Sequence, residues 1–69
     1  MIMMKLKDLK AGDRVVLKGD HPWATHAGTV VGWELVDLFG AEFPKVRLDD
    51  MGHTIFVFNA SQVRLTGHG

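Results

Sequence analysis

The sequence predicts an all-β protein: a small five-stranded barrel with one short helical turn before the last strand. The chain has 69 residues, which is enough for one domain. Helical periodicity is weak throughout, whereas short apolar stretches recur between Gly and Asp turn signals, several of them with period-two alternation. A strongly bent sheet also protects strand edges that a flat sheet would expose. We therefore expect a single domain over residues 1–69, with its core within about 9–66.

The first two strands are predicted at residues 14–18 and 28–35. Turn signals at Gly12-Asp13 and Gly19-Asp20 bound the first of them. Gly32 lies inside the second strand, where a glycine indicates a β-bulge or a sharp bend. The side chains expected on one face of this strand are Val31, Trp33 and Leu35.

The remaining strands are predicted at residues 45–48, 54–58 and 63–66. A long loop over 36–44 precedes them, and a tight helical turn over 59–62 separates the last two. Alternation predicts an inner lining that includes Val31, Val46, Leu48, Val63 and Leu65. The fourth strand is continuously apolar, so its pattern alone does not assign its faces.

The order of these segments resembles SH3-like barrels of the KOW type. Residues 9–15, LKAGDRV, resemble the opening strand of that family, and 27–31, AGTVV, with the preceding PWA at 22–24, are similar to its loop and second strand. Residues 60–65, ASQVRL, are similar to its closing turn and strand. The resemblance implies a barrel of a kind that binds RNA, DNA, ribosomal partners or proteins, or supports an enzyme.

A second resemblance is to the plasmid-borne type II dihydrofolate reductases, carried by GDRV at 12–15 and VGW at 31–33. Members of that family are SH3-like barrels that form a tetramer around one pore and bind NADPH and dihydrofolate there. Their active surface has a Val-Gln-Ile-Tyr segment and a lysine in the first strand. Here the Gln position is Ile55, the Tyr position is Val57 and the lysine position is Leu17. We expect shared architecture without the reductase activity, hence no enzyme and no cofactor.

Charge and composition narrow the function classes. The formal net charge is +0, and the chain has no Cys. A dedicated nucleic-acid binder usually carries a net basic domain, although a local basic face could form from the N-terminal residues. No apolar run is long enough to span a bilayer. The apolar residues 1–4 are too few for a signal peptide. We expect a cytoplasmic protein.

Aromatic side chains are the main candidates for binding. Trp23 follows Pro22 in the loop after the first strand, where it either docks a partner or folds down as a lid on the barrel. Phe56 and Phe58 share one face of the fourth strand, so one apolar face is expected to be exposed or to form an interface. The predicted partner-binding residues are Trp23, Phe39, Phe43, Lys45 and Arg47. The predicted oligomer interface is Trp33, Phe56 and Phe58.

Basic and histidine residues give weaker signals. The predicted nucleic-acid contacts are Lys5, Lys7, Lys10, Arg47 and Arg64. Alternating charge on the third strand is also the normal solvated side of a half-buried strand. His21, His26 and His53 have no spacing typical of a metal site, so we expect no metal. No catalytic group of residues is evident.

Three functions are consistent with these features. The first is a non-enzymatic SH3-like binding module that engages a protein partner, or a second copy of itself, through loop aromatics. The second is a KOW-like nucleic-acid binder. The third is an oligomeric relative of the type II reductases with a ligand-binding pore. The sequence favours them in that order.

Overall fold

The computed structural model describes residues 5–68, and residues 1–4 and 69 lie outside the described part. The strands are β1 (Arg14–Leu17), β2 (Ala27–Val36), β3 (Ala41–Leu48), β4 (Thr54–Phe56) and β5 (Val63–Gly67). Short 3₁₀ turns cover Leu6–Asp8 and Ala60–Gln62. The predicted all-β class, with five strands and one helical turn before the last, is confirmed.

The five strands form one antiparallel sheet in the order β4-β3-β2-β1-β5. β2 and β3 make the longest pairing, from Gly28 opposite Leu48 to Val36 opposite Ala41. β4 and β5 are the two edges of the sheet. Apolar side chains from β1, β2, β3, β5 and Val57 nevertheless pack into one cluster, so the sheet curls around a single core.

The core consists of small and medium aliphatic side chains. Its fully or almost fully buried members are Leu9, Val15, Leu17, Val30, Val46, Leu48, Val57 and Val63. Val46, Leu48 and Val63 thus lie inside as the alternation predicts, and Leu65 is partly buried against them. Gly28 is buried as well, because β2 passes so close to β3 there that a Cβ atom would lie 2.5 Å from the Arg47 carbonyl oxygen.

Val31 does not line the core: its side chain is 41% exposed, and Val30 takes the inner position. The cause is a bulge. Val30 pairs with Val46, but the next pairs are Gly32 with Lys45 and Trp33 with Pro44, so Val31 is an extra residue. The bulge suggested by Gly32 is therefore present, and it changes the parity of the strand. Trp33 shares the side of Val30, and the expected common face of Val31 and Trp33 is wrong.

The predicted loop over 36–44 is mostly strand. β3 begins at Ala41, and only residues 37–40 connect it to β2. The amide nitrogens of Phe39 and Gly40 both donate to the Val36 carbonyl at 3.0 Å, and Gly40 has φ +63°. A glycine adopts this left-handed conformation without strain, which allows the tight turn. The result is a projecting β2–β3 hairpin that places Phe43 on a strand.

Candidate functional site

The outer face of β3 carries the residues that the core excludes. Burial alternates along the strand: Pro44, Val46 and Leu48 are buried, while Phe43, Lys45 and Arg47 point to the other side. On β4, Phe56 pairs with Lys45 and Thr54 pairs with Arg47. On β2, Glu34 pairs with Phe43, Gly32 with Lys45, and Thr29 with Arg47. Paired residues share a face, so these side chains form one surface, called here the outer face.

Four phenylalanines meet at the hairpin end of the outer face. The Phe58 ring centroid lies 4.8 Å from Phe43, 5.3 Å from Phe39 and 6.1 Å from Phe56. Phe39 and Phe43 are 5.7 Å apart, and the contacts other than Phe56–Phe58 are edge-to-face. Such contacts contribute about 0.5–1.5 kcal/mol each beyond area burial. We call this set of Phe39, Phe43, Phe56 and Phe58 the phenylalanine cluster.

The phenylalanine cluster is open to solvent although its rings contact each other. Phe39 is 58% exposed and Phe58 is 39% exposed, while Phe43 and Phe56 are half-buried. Its members come from three segments: the hairpin turn, β3, and β4 with the residues after it. The sequence placed Phe39 and Phe43 in one predicted group and Phe56 and Phe58 in another. The structure brings the two groups together, because β3 pairs with β4 and Lys45 lies opposite Phe56, which sets Phe43 beside Phe58.

Backbone contacts fix Phe58 in place. The preceding residue, Val57, is fully buried and donates its N–H to the Pro44 carbonyl at 3.1 Å. The side-chain oxygen of Gln62 accepts the N–H groups of Phe58 at 3.2 Å and Asn59 at 3.3 Å. The expected exposure of one aromatic face of this segment is thus met at Phe58. Gln62 was not singled out in the sequence, where a lone glutamine gives no signal.

Two ion pairs flank the positive charge of Arg47. Lys45 Nζ lies 3.0 Å from Glu34 Oε1 and 6.0 Å from the centroid of the Phe56 ring. Arg14 donates from Nη1 to Asp49 Oδ1 at 2.8 Å, and from the same nitrogen to Thr29 Oγ1 at 2.6 Å. Arg47 is exposed and makes no ion pair with any residue in the range 5–68.

The Arg14–Asp49 ion pair changes the pKa of both of its groups. The hydrogen bond from Arg14, assisted by its positive charge, holds the pKa of the Asp49 carboxyl below its usual range, although partial desolvation opposes the shift. The same hydrogen bond raises the pKa of the Arg14 guanidinium. Both groups therefore stay charged and neutralise each other on the outer face at neutral pH.

Trp23 packs against the core as a partly buried side chain, which is the placement that the lid interpretation describes. Its neighbour His21 is buried and uses both ring nitrogens. Nδ1 accepts the Trp23 N–H at 3.0 Å, so the proton of the neutral ring lies on Nε2, which donates to the Phe56 carbonyl at 3.1 Å. His21 thereby joins the β1–β2 loop to the edge strand under Phe56.

Trp33 is not a core residue. Its side chain is 37% exposed, and its indole N–H donates to the Leu9 carbonyl at 3.0 Å. Of the core and interface positions that its alternation with Val31 and Leu35 favours, the core is excluded, because the hairpin extends past the end of the core. The interface position of Trp33 stays a prediction. Leu35, two residues on, is also exposed. Trp33 lies opposite Pro44, on the side of the hairpin away from the phenylalanine cluster.

The basic residues predicted to contact nucleic acid are spread over three elements. Lys5, Lys7 and Lys10 flank or lie within the N-terminal 3₁₀ turn. Arg47 lies on β3 and Arg64 on β5, with β2 and β1 between them. Three strand spacings of about 4.8 Å separate the two arginines along the sheet, so Arg64 does not lie on a strand next to Arg47.

Residues 5–68 contain neither a metal-binding cluster nor a helix that could span a membrane. No group of three or more His, Asp or Glu side chains in this range is arranged to hold a metal ion. His26 pairs instead with Asp50, at 3.1 Å. No helix in the range has the length and apolar character of a membrane span. The reductase-like positions Leu17 and Val57 are fully buried, and Ile55 packs against the same core.

Comparison with known proteins gives no relatives: no family model, no curated protein and no solved structure matches the chain. The resemblances to KOW-type barrels and to type II reductases therefore stay predictions.

Proposed function

We propose that this protein is a small, non-enzymatic SH3-like binding module that docks a protein partner on the phenylalanine cluster. The single observation that carries the proposal is the convergence of four phenylalanines, two of them exposed and two half-buried, from three segments of the chain. Contiguous exposed apolar patches are uncommon on monomeric proteins and usually mark interaction sites. Aromatic side chains are also enriched in the cores of protein interfaces.

The support beneath the cluster fits a binding role. Phe43 is held by a long β2–β3 ladder, Phe39 by a glycine turn and Phe58 by the Gln62 side chain. A rigid surface loses little conformational entropy when a partner binds, so more of the contact energy appears as affinity. Fixed aromatic anchors of this kind suit a partner that presents aliphatic or aromatic side chains.

Selection of short random peptides displayed on phage tests the proposal. The wild-type protein is expected to enrich peptides with apolar side chains, and titration into ¹⁵N-labelled protein is expected to shift the amide signals around Phe43 and Phe58. Phe58→Ala should weaken those peptides by at least about tenfold, because it removes the central ring. Leu38→Ala is the matched control: Leu38 is 87% exposed on the same hairpin turn and has no place in the cluster.

Two outcomes would remove the proposal. In the first, no enriched peptide loses affinity on Phe58→Ala. In the second, sedimentation shows that the wild-type protein is a dimer and that Phe58→Ala converts it to a monomer. The cluster would then be an interface between copies of this chain.

The nucleic-acid alternative has one observation in its favour. Phe43, Lys45 and Arg47 alternate on one sheet face, and single strands bind to surfaces that combine aromatic and basic side chains. The formal net charge of +0 and the scattered lysines make it the second candidate. An oligomeric, pore-forming relative of the type II reductases ranks third, since the positions of its polar groups hold core side chains here.

A further inference from the structure

We infer that the partner segment on the outer face is an acidic peptide: an extended stretch with an apolar side chain on the phenylalanine cluster and a carboxylate on Arg47. This inference rests on the proposed function and adds the chemistry of the partner. It follows from the juxtaposition of an exposed aromatic cluster and one exposed arginine along the same strand face.

Arg47 differs from Lys45 and Arg14 on the outer face, because those two cations are in ion pairs. Lys45 is engaged by Glu34, and Arg14 is engaged by Asp49, so each pair contributes no net charge. Arg47 is the cation left over among the described residues of this face. Its neighbours across the sheet are Thr29 and Thr54, which are uncharged. A guanidinium in this setting suits a carboxylate, which it can bind through two parallel hydrogen bonds.

The spacing of the two features matches an extended peptide. Phe43, Lys45 and Arg47 are alternate residues of β3, and a strand rises about 3.3 Å per residue, so Phe43 and Arg47 are about 13 Å apart. A peptide in a similar extended conformation covers that distance in four residues. An apolar residue on the cluster and an Asp or Glu four positions away would therefore reach both features at once.

A peptide accounts for this face better than a nucleic acid does. Nucleic-acid affinity grows with the number of phosphates that a protein neutralises, and within residues 5–68 the outer face offers one cation that is free of an ion pair. The phenylalanine rings also contact one another largely edge-to-face, which leaves edges and part of their faces for aliphatic side chains. A peptide with one carboxylate and one apolar side chain would contact both Arg47 and the phenylalanine cluster.

The experiment compares peptides selected on wild-type protein with peptides selected on Arg47→Glu. Wild-type protein should enrich Asp or Glu at a fixed distance from the apolar residue, and Arg47→Glu should enrich Lys or Arg at the same distance.

A selected peptide and its version with Glu replaced by Gln are then titrated into each protein. The Glu form should bind wild-type protein about two- to fivefold more tightly, the range expected of an exposed ion pair. Arg47→Gln should abolish that preference, and Arg64→Gln, a change to an exposed arginine on β5, should leave it intact.

The outcomes separate this inference from the proposed function. Peptides that depend on Phe58 but show no acidic preference overturn the acidic partner and leave the binding module standing. Peptides that do not depend on Phe58 overturn both. A fluorescent oligouridylate that binds at low salt, loses affinity on both Phe58→Ala and Arg47→Gln and displaces the selected peptide would make the face a nucleic-acid site and overturn the inference.

Discussion

The two faces of β3 differ in what surrounds them, although their residues alternate along one strand. Pro44, Val46 and Leu48 are enclosed by the core. On the outer face, Phe43 contacts Phe58, Lys45 pairs with Glu34, and Arg47 is exposed. One strand therefore supports the fold with one set of side chains and presents a surface with the other. Changes on the inner face should act on folding, and changes on the outer face should act on binding.

The largest expected effect is a difference in the free energy of unfolding between Leu48→Ala on the inner face and Arg47→Ala on the outer face. Leu48→Ala should lower the free energy of unfolding by about 2–5 kcal/mol, because it leaves a cavity in a core of few side chains. Arg47→Ala should change it by no more than about 0.5 kcal/mol, since Arg47 is exposed. Urea denaturation followed by circular dichroism measures both. Equal losses in the two variants would contradict the division of the strand into two roles.

A second test adds one methyl group to the inner face. Gly28→Ala should destabilise the protein by about 1–3 kcal/mol, because the new Cβ would meet the Arg47 carbonyl oxygen at 2.5 Å and the Val46 side chain at 2.6 Å. Gly67→Ala is the matched control, since its Cβ would lie at 3.6 Å from Arg14, an ordinary contact. Thermal unfolding of the two variants should separate them. A Gly28→Ala protein as stable as Gly67→Ala would show that β2 and β3 do not pack this closely.

A third test addresses the link between the β1–β2 loop and β4. His21→Ala should cost about 1–2 kcal/mol, since it removes two hydrogen bonds and leaves the Phe56 carbonyl without its donor. His53→Ala, at an exposed histidine near the same strand, should have almost no effect. Urea midpoints compare them directly. In the His21→Ala protein, amide exchange near Phe56 should also become faster, and unchanged exchange would argue against the link.

The smallest expected effect is the loss, at low pH, of the stabilisation that the Arg14–Asp49 pair gives to the fold. The pKa of Asp49 is lowered in the folded state by its hydrogen bond from Arg14, so the pair stabilises the fold above the unfolded-state pKa of about 3.9. That contribution is lost as the pH falls through the lower folded-state pKa. Wild-type protein should therefore exceed Arg14→Gln in stability at neutral pH, and the gap should close in strong acid. If the difference in stability between the two proteins persists at the lowest pH, it arises from packing and not from the ion pair.

Much of the fold could be predicted from local patterns. Residues 45–48 alternate so regularly that the faces of β3 followed from the sequence, and the turn residues gave the strand order along the chain. Val31 was misplaced because a bulge breaks period two, and Gly32 shows that a bulge is present without showing which neighbour is the extra residue. The start of β3 was missed because Phe43 and Pro44 follow a glycine turn and resemble loop residues.

The candidate site was harder to predict because it depends on contacts between distant segments. Phe39 and Phe58 are 19 positions apart in the sequence, and their contact depends on the hairpin register and on the curl of the sheet. His21 likewise gives no local sign that it reaches Phe56. Residue types can nominate aromatic and basic candidates. Their grouping requires the tertiary structure.

The bulge at Val31 has a consequence for the shape of any ligand. It lies opposite the junction of Val46 and Lys45, between Arg47 on one side and the phenylalanines on the other. A bulged strand bends and twists more strongly than a regular one, so the track between these two anchor points is curved. A ligand that touches both must follow that curvature, which disfavours a rigid straight rod such as a helix. If the outer face binds a ligand as proposed, the bulge at Val31 should favour flexible, extended ligands over rigid, straight ones.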